Sequence, residues 1–161
     1  MSAPASLAQD EAFARIRLLR SPHVGPISYL QLLRRFGTAQ EALEALPDLA
    51  ARGGQGYRPA PRAAVEAEIE AVRAAGARYL FHDAPGYPDL LGRLEGAPPI
   101  LTVRGDLALA AQPGVAIVGA RNASAAAVKL ARDFARALAG EGFAVVSGLA
   151  RGIDGAAHEG A

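Results

Sequence analysis

Two short glycine-bearing stretches of this sequence have the residue types that bind an anion. The first turn, VGARNAS, covers residues 118–124, and the second turn, SGLARGID, covers residues 147–154. Each follows a short apolar run and precedes a helical pattern, so each would present unpaired backbone N–H groups at a helix start. Glycine is used where φ is positive or where another group approaches the backbone closely. The two turns therefore predict an anion site, with phosphate as the usual ligand.

The first turn departs from the dinucleotide-binding pattern Gly-x-Gly-x-x-Gly. Gly119 matches the first glycine, but Arg121 and Ser124 stand at the other two glycine positions. An arginine at the second position obstructs a pyrophosphate, while its guanidinium offers several donors to a phosphate. The following strand also ends in Ser147 and Gly148 and lacks the acidic residue that would hold a ribose. We therefore expect no NAD and no other cofactor.

The second turn offers small residues that can present consecutive amides to a phosphate. Ser147, Gly148, Ala150 and Gly152 have this character, and Arg151 adds a positive charge. The alternative is a glycine-rich connection that only packs tightly, and the turn alone leaves both interpretations open. Adjacent parallel strands would bring the two turns together, which favours the phosphate interpretation.

Asp154 and His158 lie four residues apart and would share one face of the final helix. Together with Ser147 they resemble a hydrolytic triad, but the Gly-x-Ser-x-Gly elbow is absent and such spacing is common local support. We expect no catalytic residue, and we expect Asp154 to be a helix N-cap or a turn brace. Three scattered histidines without any cysteine predict no metal site.

The composition and charge of the sequence exclude several classes of protein. The 161 residues include no cysteine and carry a net charge of +1, with ten basic and eight acidic residues before residue 79. Any contact with nucleic acid must therefore depend on local geometry, because no strong overall positive field exists. No apolar run approaches the roughly 18 residues that cross a bilayer, and the N-terminal stretch MSAPASLAQDEAF lacks the basic start and apolar core of a signal peptide. We expect a cytoplasmic protein with no membrane partner.

Helical patterns occupy residues 1–76, for which we predict a small helical domain. Capping boxes at Ser6-x-x-Gln9 and Thr38-x-x-Glu41 predict two helix starts, and Pro47 is expected to end the helix that the second box begins. A further helix is expected from about Ile27 to Phe36, and another after a loop at residues 51–60.

The pattern changes to short apolar runs in residues 77–161. RYLFH, PILTVRG, GVAIVGA and FAVVSG indicate strands buried on both faces of a sheet. A helix between the last two strands, with Val128, Ala131, Leu138 and either Phe134 or Ala135 buried, completes a parallel βαβ unit. The predicted fold is therefore α/β: a helical domain, then a Rossmann-like parallel-sheet domain that we expect to be incomplete at its C-terminal end.

Three segments resemble the DprA/Smf family of DNA-processing proteins. They are LFHDAPGYPDLLGRLEGAPPILTVRGD, VAIVGARNAS and VVSGLARGIDGAAH, and they cover about residues 79–161. The N-terminal helices are similar to the SAM-like, or helix-hairpin-helix-like, domain that often precedes the Rossmann-like domain in that family. The resemblance implies a non-enzymatic homodimer that binds single-stranded DNA without base specificity and helps to load the RecA recombinase in natural transformation.

The resemblance also implies which residues hold the DNA phosphate. Arg121, next to Gly119 in the first turn, would grip it, and a backbone pocket would be formed by Ser147, Gly148, Leu149 and Ala150 and shaped by Gly152 and Asp154.

Two alternatives remain open at this stage. Phosphoribohydrolases of the lysine-decarboxylase-like Rossmann group use similar glycine-rich turns, but their PGGxGT segment does not occur in this sequence. The hairpin in HVGPISYLQLLRRFG would either contact DNA through its amides or serve packing and protein interactions, and Arg34 and Arg35 are the residues that test this. Pro26 removes one amide donor and favours the second role.

Overall fold

A computed structural model describes residues 8–51 and 57–161 of the chain. Contacts between residues divide it into two compact units, a first unit Met1–Gly105 and a second unit Asp106–Ala161. The domain boundary near residue 76 stays a prediction. Ser6 of the first capping box and residues 52–56 of the expected loop at residues 51–60 lie outside the described residues.

The first unit begins with four helices. They are α1 (Gln9–Leu19), α2 (Pro26–Phe36), α3 (Ala39–Ala51) and α4 (Arg62–Ala74). Leu18 and Tyr29 are fully buried among small and apolar residues of α1, α2 and α3. The expectation that Pro47 ends a helix was wrong, because α3 continues to Ala51. The apolar face of α3 packs into this core, and tertiary packing of that kind outweighs local helix propensity.

Two antiparallel strands follow in the first unit. β1 (Arg78–Phe81) pairs with β2 (Ile100–Val103), and the short helix α5 (Asp89–Gly92) lies between them. The expectation of strands buried on both faces of a parallel sheet was therefore wrong for this pair. A parallel connection normally uses a long crossover helix, and the prolines and glycines of residues 85–99 prevent one from forming.

The second unit contains a parallel strand–helix–strand arrangement, as predicted. After a 3₁₀ helix (Leu107–Ala111), the chain forms β3 (Gly114–Ala116), α6 (Ala125–Gly140), β4 (Ala144–Val146) and α7 (Ile153–Gly160). β3 and β4 are parallel, with Val115 opposite Val145. Ser124 is the N-cap of α6, where its side chain accepts a hydrogen bond from the Ala127 N–H.

The core of the second unit is made of small side chains. Ala131 and Ala135 of α6 and Ala156 and Ala157 of α7 are buried. Phe134, one of the two alternatives for the buried face of α6, is 60% exposed, so Ala135 is the correct one. Burial on both faces was also wrong for β4, because Val146 is more than half exposed. Ala135 is the buried residue of the two because α7 packs closely on α6, where Gly160 leaves room for the Arg132 carbonyl oxygen.

None of the helices in the two described ranges is both long enough and apolar enough to cross a membrane.

Candidate phosphate-binding site

The structure brings the two predicted turns together at the carboxyl ends of β3 and β4. The Ile117 N–H donates to the Val146 carbonyl over 3.0 Å, which extends the strand pairing by one residue. The Ser147 hydroxyl then donates to the Ile117 carbonyl over 2.7 Å, and the Ile153 N–H donates to the Ala120 carbonyl over 3.3 Å. Each of these hydrogen bonds links one strand end or turn to the other, so the two turns form a single surface.

Contacts between the two turns explain why glycine occurs at positions 119 and 152. Gly152 has a φ of +83°, and a Cβ there would collide with the Ala120 carbonyl oxygen. A Cβ at Gly119 would lie 2.7 Å from the Ile153 side chain. The group that approaches these two glycines closely is therefore the opposite turn. Tight packing, one of the two interpretations left open by the sequence, accounts for both positions.

Asp154 braces the first turn from inside the second unit. Its carboxylate is buried, with the residue only 7% exposed, and Oδ1 accepts a hydrogen bond from the Gly119 N–H over 3.4 Å. A Cβ at Gly148 would lie 3.0 Å from Oδ2, so this glycine makes room for the carboxylate. The N-cap of α7 is Gly152, so of the two roles expected for Asp154 the structure supports the turn brace.

The outward side of the turns retains free hydrogen-bond donors. In residues 8–51 and 57–161, the N–H groups of Gly148, Leu149 and Ala150 have no hydrogen-bond acceptor. Leu149 has a φ of +54° and is 74% exposed. A left-handed residue within a turn makes consecutive N–H groups converge, and such concave groups of amides bind anions. Left-handed backbone also carries strain in a residue other than glycine, and strain of this kind is concentrated at functional sites.

Two arginines flank these amides without a carboxylate partner. The other lysine and arginine side chains of the second unit form ion pairs with Asp133 or Glu159; they are Lys129, Arg132 and Arg136. Arg121 and Arg151 are exposed, and no acidic side chain of the described residues forms an ion pair with either. Unpaired guanidinium groups next to converging amides can bind a phosphate with charge-assisted hydrogen bonds.

Not every predicted site residue presents a free donor to this surface. The Gly119 N–H is engaged by Asp154, and the Ser147 hydroxyl proton is engaged by Ile117. The donors of the other predicted site residues are not engaged in this way; these are the Arg121 side chain and the backbone N–H groups of Gly148, Leu149 and Ala150. Gly152 shapes the contact between the turns. A role of each residue in ligand binding stays a prediction.

Sequence reasoning missed a contact made by His158. Its Nε2 lies 3.3 Å from the Ser147 carbonyl oxygen, so this residue of α7 reaches back to the start of the second turn. The four-residue spacing from Asp154 was the available signal, because it places both side chains on one helix face. Among the described residues, no group of three or more histidine, aspartate or glutamate side chains is arranged to hold a metal ion.

The N-terminal hairpin between α1 and α2 uses its own amides internally. The Gly25 N–H donates to Ser28 Oγ over 2.9 Å, and the Val24 N–H donates to the Ser21 carbonyl over 3.2 Å. Arg34 and Arg35 lie in the last turn of α2, where the Arg35 guanidinium sits 5.2 Å from the ring centre of Phe36. Because both amides are engaged, the packing role for the hairpin has more structural support than amide contact with DNA.

Family models match both the helical and the α/β part of the chain. A family model described as DNA recombination-mediator protein A matches residues 78–161, and one described as DprA-like N-terminal HHH domain matches residues 9–71. Protein Smf of Synechocystis sp. is 31% identical over 147 residues, which is 84% of this chain and 37% of that protein. DNA processing protein DprA of Streptococcus pneumoniae is 42% identical over 72 residues, which is 45% of this chain and 25% of that protein.

The fold also matches a solved structure. The X-ray structure of DNA processing protein A (DprA) from Streptococcus pneumoniae aligns with a TM-score of 0.60 at 24% identity, covering 97% of this chain and 54% of that one. This confirms the predicted α/β fold with a helical N-terminal part. The chain spans about a third of the length of the curated relatives it matches.

Proposed function

The chain belongs to the DNA recombination-mediator protein A family, and we propose that its paired turns bind the phosphate backbone of single-stranded DNA. One observation carries the proposal: Arg121 and Arg151, both without an acidic partner in the described ranges, flank three backbone N–H groups that have no acceptor there. A phosphodiester carries one negative charge and several acceptor oxygens, which is what such a set of donors complements.

The chemistry of this surface predicts binding without base specificity. Phosphate contacts fix a strand in place but carry no information about its bases. The affinity should therefore be similar for different base sequences and should fall steeply as salt concentration rises. We assign Gly119, Ser147, Gly152 and Asp154 to holding the two turns together, because their donors, acceptors or backbone are engaged by the opposite turn.

The wider role that we propose is that of a recombination mediator without enzymatic activity. Two relatives carry the printed name DNA processing protein DprA, which supports a role in handling DNA. Loading of a RecA-type recombinase, assembly as a homodimer and a cytoplasmic location are parts of this proposal.

Replacement of Arg121 tests the proposal. We expect Arg121→Ala in the intact protein to weaken binding of single-stranded DNA by about tenfold or more, because a hydrogen bond to a charged group contributes about 1.5–3 kcal/mol. The loss should be equal for different base sequences, and the slope of log affinity against log salt should become shallower by about 1. Fluorescence anisotropy of labelled oligonucleotides across a salt titration measures both.

Arg136→Ala is the matched control. Arg136 is also an exposed arginine of the second unit, but it lies near the far end of α6 and pairs with Asp133. We expect Arg136→Ala to bind like the parent protein. Equal affinities for the parent and Arg121→Ala proteins would contradict the proposed site.

A further inference from the structure

Ser147 is held from two sides at the start of the second turn. Its hydroxyl donates to the Ile117 carbonyl over 2.7 Å, and its own carbonyl oxygen lies 3.3 Å from Nε2 of His158. A carbonyl oxygen can only accept a hydrogen bond, so Nε2 must carry the proton. His158 therefore acts as a donor to the peptide group that joins Ser147 to Gly148.

That peptide group connects His158 to the proposed phosphate site. The Gly148 N–H is the other polar end of the same planar unit, and it has no hydrogen-bond acceptor among the described residues. Fixing the carbonyl fixes the direction of the N–H, because a trans peptide bond points the two in opposite directions. Hydrogen bonds in series also polarise one another, so a donor on the carbonyl strengthens the N–H as a donor.

The helix that carries His158 is held in place by its packing. It lies on α7, which packs closely on α6 because Gly160 leaves room for the Arg132 carbonyl oxygen. Arg132 also forms an ion pair with Glu159, the residue that follows His158. Ala156 and Ala157, on the preceding positions of α7, are buried. Packing against α6 therefore holds α7 in place, and with it the imidazole of His158 next to Ser147.

We propose that His158 is a positioning residue for the second turn and that its protonation is coupled to phosphate binding, an inference that rests on the proposed function. The neutral ring with hydrogen on Nε2 makes the hydrogen bond to Ser147. The doubly protonated ring makes the same bond and adds a positive charge one peptide group away from the Gly148 N–H. Phosphate binding should therefore be accompanied by proton uptake at His158.

The other charged groups around α7 are carboxylates and arginines. Asp154 is buried and accepts from the Gly119 N–H, and Glu159 is paired with Arg132 of α6. Arg121 and Arg151 stay charged at every pH of interest, because arginine is not deprotonated in proteins. Histidine changes its charge between pH 5 and 8, so it is the side chain of this group that can make phosphate binding depend on pH there.

Amide hydrogen exchange tests the positioning role without any ligand. In His158→Leu, which lacks a donor, we expect the hydrogen-bonded amides of Ile117 and Ile153, which link the two turns, to exchange about three to ten times faster than in the parent. In His158→Gln, whose amide nitrogen can reach the same carbonyl, exchange should stay within about twofold of the parent. Equal exchange in the parent and His158→Leu proteins would overturn the positioning role.

The pH dependence of DNA affinity tests the coupling. At constant ionic strength, we expect labelled oligothymidylate to bind the parent about three to ten times more tightly at pH 5.5 than at pH 8.5. His158→Gln should match the parent at pH 8.5 and lose this dependence. The control His23→Asn changes a histidine of the first unit at a position with positive φ, which asparagine tolerates, and should keep it.

The possible results separate this inference from the proposed function. A pH dependence that persists in His158→Gln overturns the coupling, even if Arg121→Ala has lost affinity. If Arg121→Ala binds DNA like the parent, the proposed function fails, and the exchange rates of His158→Leu still decide whether His158 positions the turn.

Discussion

The two units of this protein are stabilised in different ways. The first unit buries large side chains, with Leu18 and Tyr29 at 0% exposure and Val65 at 1%. The second unit buries alanines, while Phe134 is 60% and Val118 75% exposed. Burial of large apolar side chains contributes most of the free energy of folding, so the described residues of the second unit gain much less from it.

The second unit compensates with close backbone contacts. Its two turns are joined by hydrogen bonds from Ser147, Gly119 and Ile153 to the opposite turn or strand, and Gly152 allows the backbones to touch. Precise positions of backbone N–H groups are what an anion site requires, whereas a well-filled core is not. The comparison shows that glycines determine the geometry of the second unit and that large core residues determine the stability of the first.

The largest expected effect is that of a methyl group at Gly152. We expect Gly152→Ala to destabilise the second unit by about 3 kcal/mol or more, because the positive φ is unfavourable and the Cβ would overlap the Ala120 carbonyl. Urea unfolding followed by backbone amide signals of residues 118–121 measures this. In the control Gly140→Ala, the new Cβ meets nothing within 4 Å and stability should be unchanged or slightly higher. Unchanged amide signals in Gly152→Ala would contradict the role of this glycine in holding the two turns together.

The next effect is expected from truncating one apolar side chain in each unit. Leu18→Ala should cost about 2–5 kcal/mol, since it opens a cavity in the core of the first unit. Phe134→Ala should change stability by less than about 0.5 kcal/mol, as is usual for exposed positions. Both are measured by chemical denaturation of the intact protein. Similar costs for the two variants would show that Phe134 is covered in solution.

The smallest expected effect is a pH dependence of the first unit. The hydrogen bond from Arg20 lowers the pKa of Glu68 from its ordinary value of 4.5. A carboxyl whose pKa is lower in the folded state stabilises the fold above its ordinary pKa, and that contribution is lost as pH falls through the lowered value. Since the Arg20–Glu68 pair is partly exposed, its contribution is less than about 1 kcal/mol.

Denaturant midpoints of the parent and Glu68→Gln proteins at pH 7 and pH 3 measure this contribution. The difference between the two proteins should be present at pH 7 and should shrink at pH 3. Glu66→Gln is the control, because Glu66 is more exposed and lies 3.9 Å from Arg62, and it should have little effect at either pH. A difference between the parent and Glu68→Gln that grows on acidification would contradict this assignment.

Much of the fold could be predicted from the sequence, and the failures have physical causes. Capping residues and the spacing of apolar residues predicted the helices and the βαβ unit, although Pro47 lies inside α3 and does not end it. The antiparallel pairing of β1 with β2 was not, because an apolar run does not encode the direction of its partner strand. On α6, Phe134 and Ala135 both fit the helical period, and only the close packing of α7 selects the alanine.

The candidate site could also be predicted only in part from the sequence. The order of strands and turns predicted that Arg121 and the second turn would meet at one edge of the sheet. The role of Gly152 could not be predicted, because a glycine that makes room for a ligand has the same sequence signature as one that makes room for another turn. The contact between His158 and the Ser147 carbonyl depends on the packing of α7, which residue spacing alone does not specify.

We expect the free amides of the second turn to bind a DNA phosphate next to Arg121. The most direct measurement is a titration of the isotope-labelled intact protein with unlabelled oligothymidylate, followed by backbone amide NMR signals. We expect the signals of Gly148, Leu149, Ala150 and Arg121 to shift with the bound fraction, while those of Gly140 and Gly142 stay in place. Shifts confined to the helices of the first unit, with residues 148–150 unchanged, would contradict it.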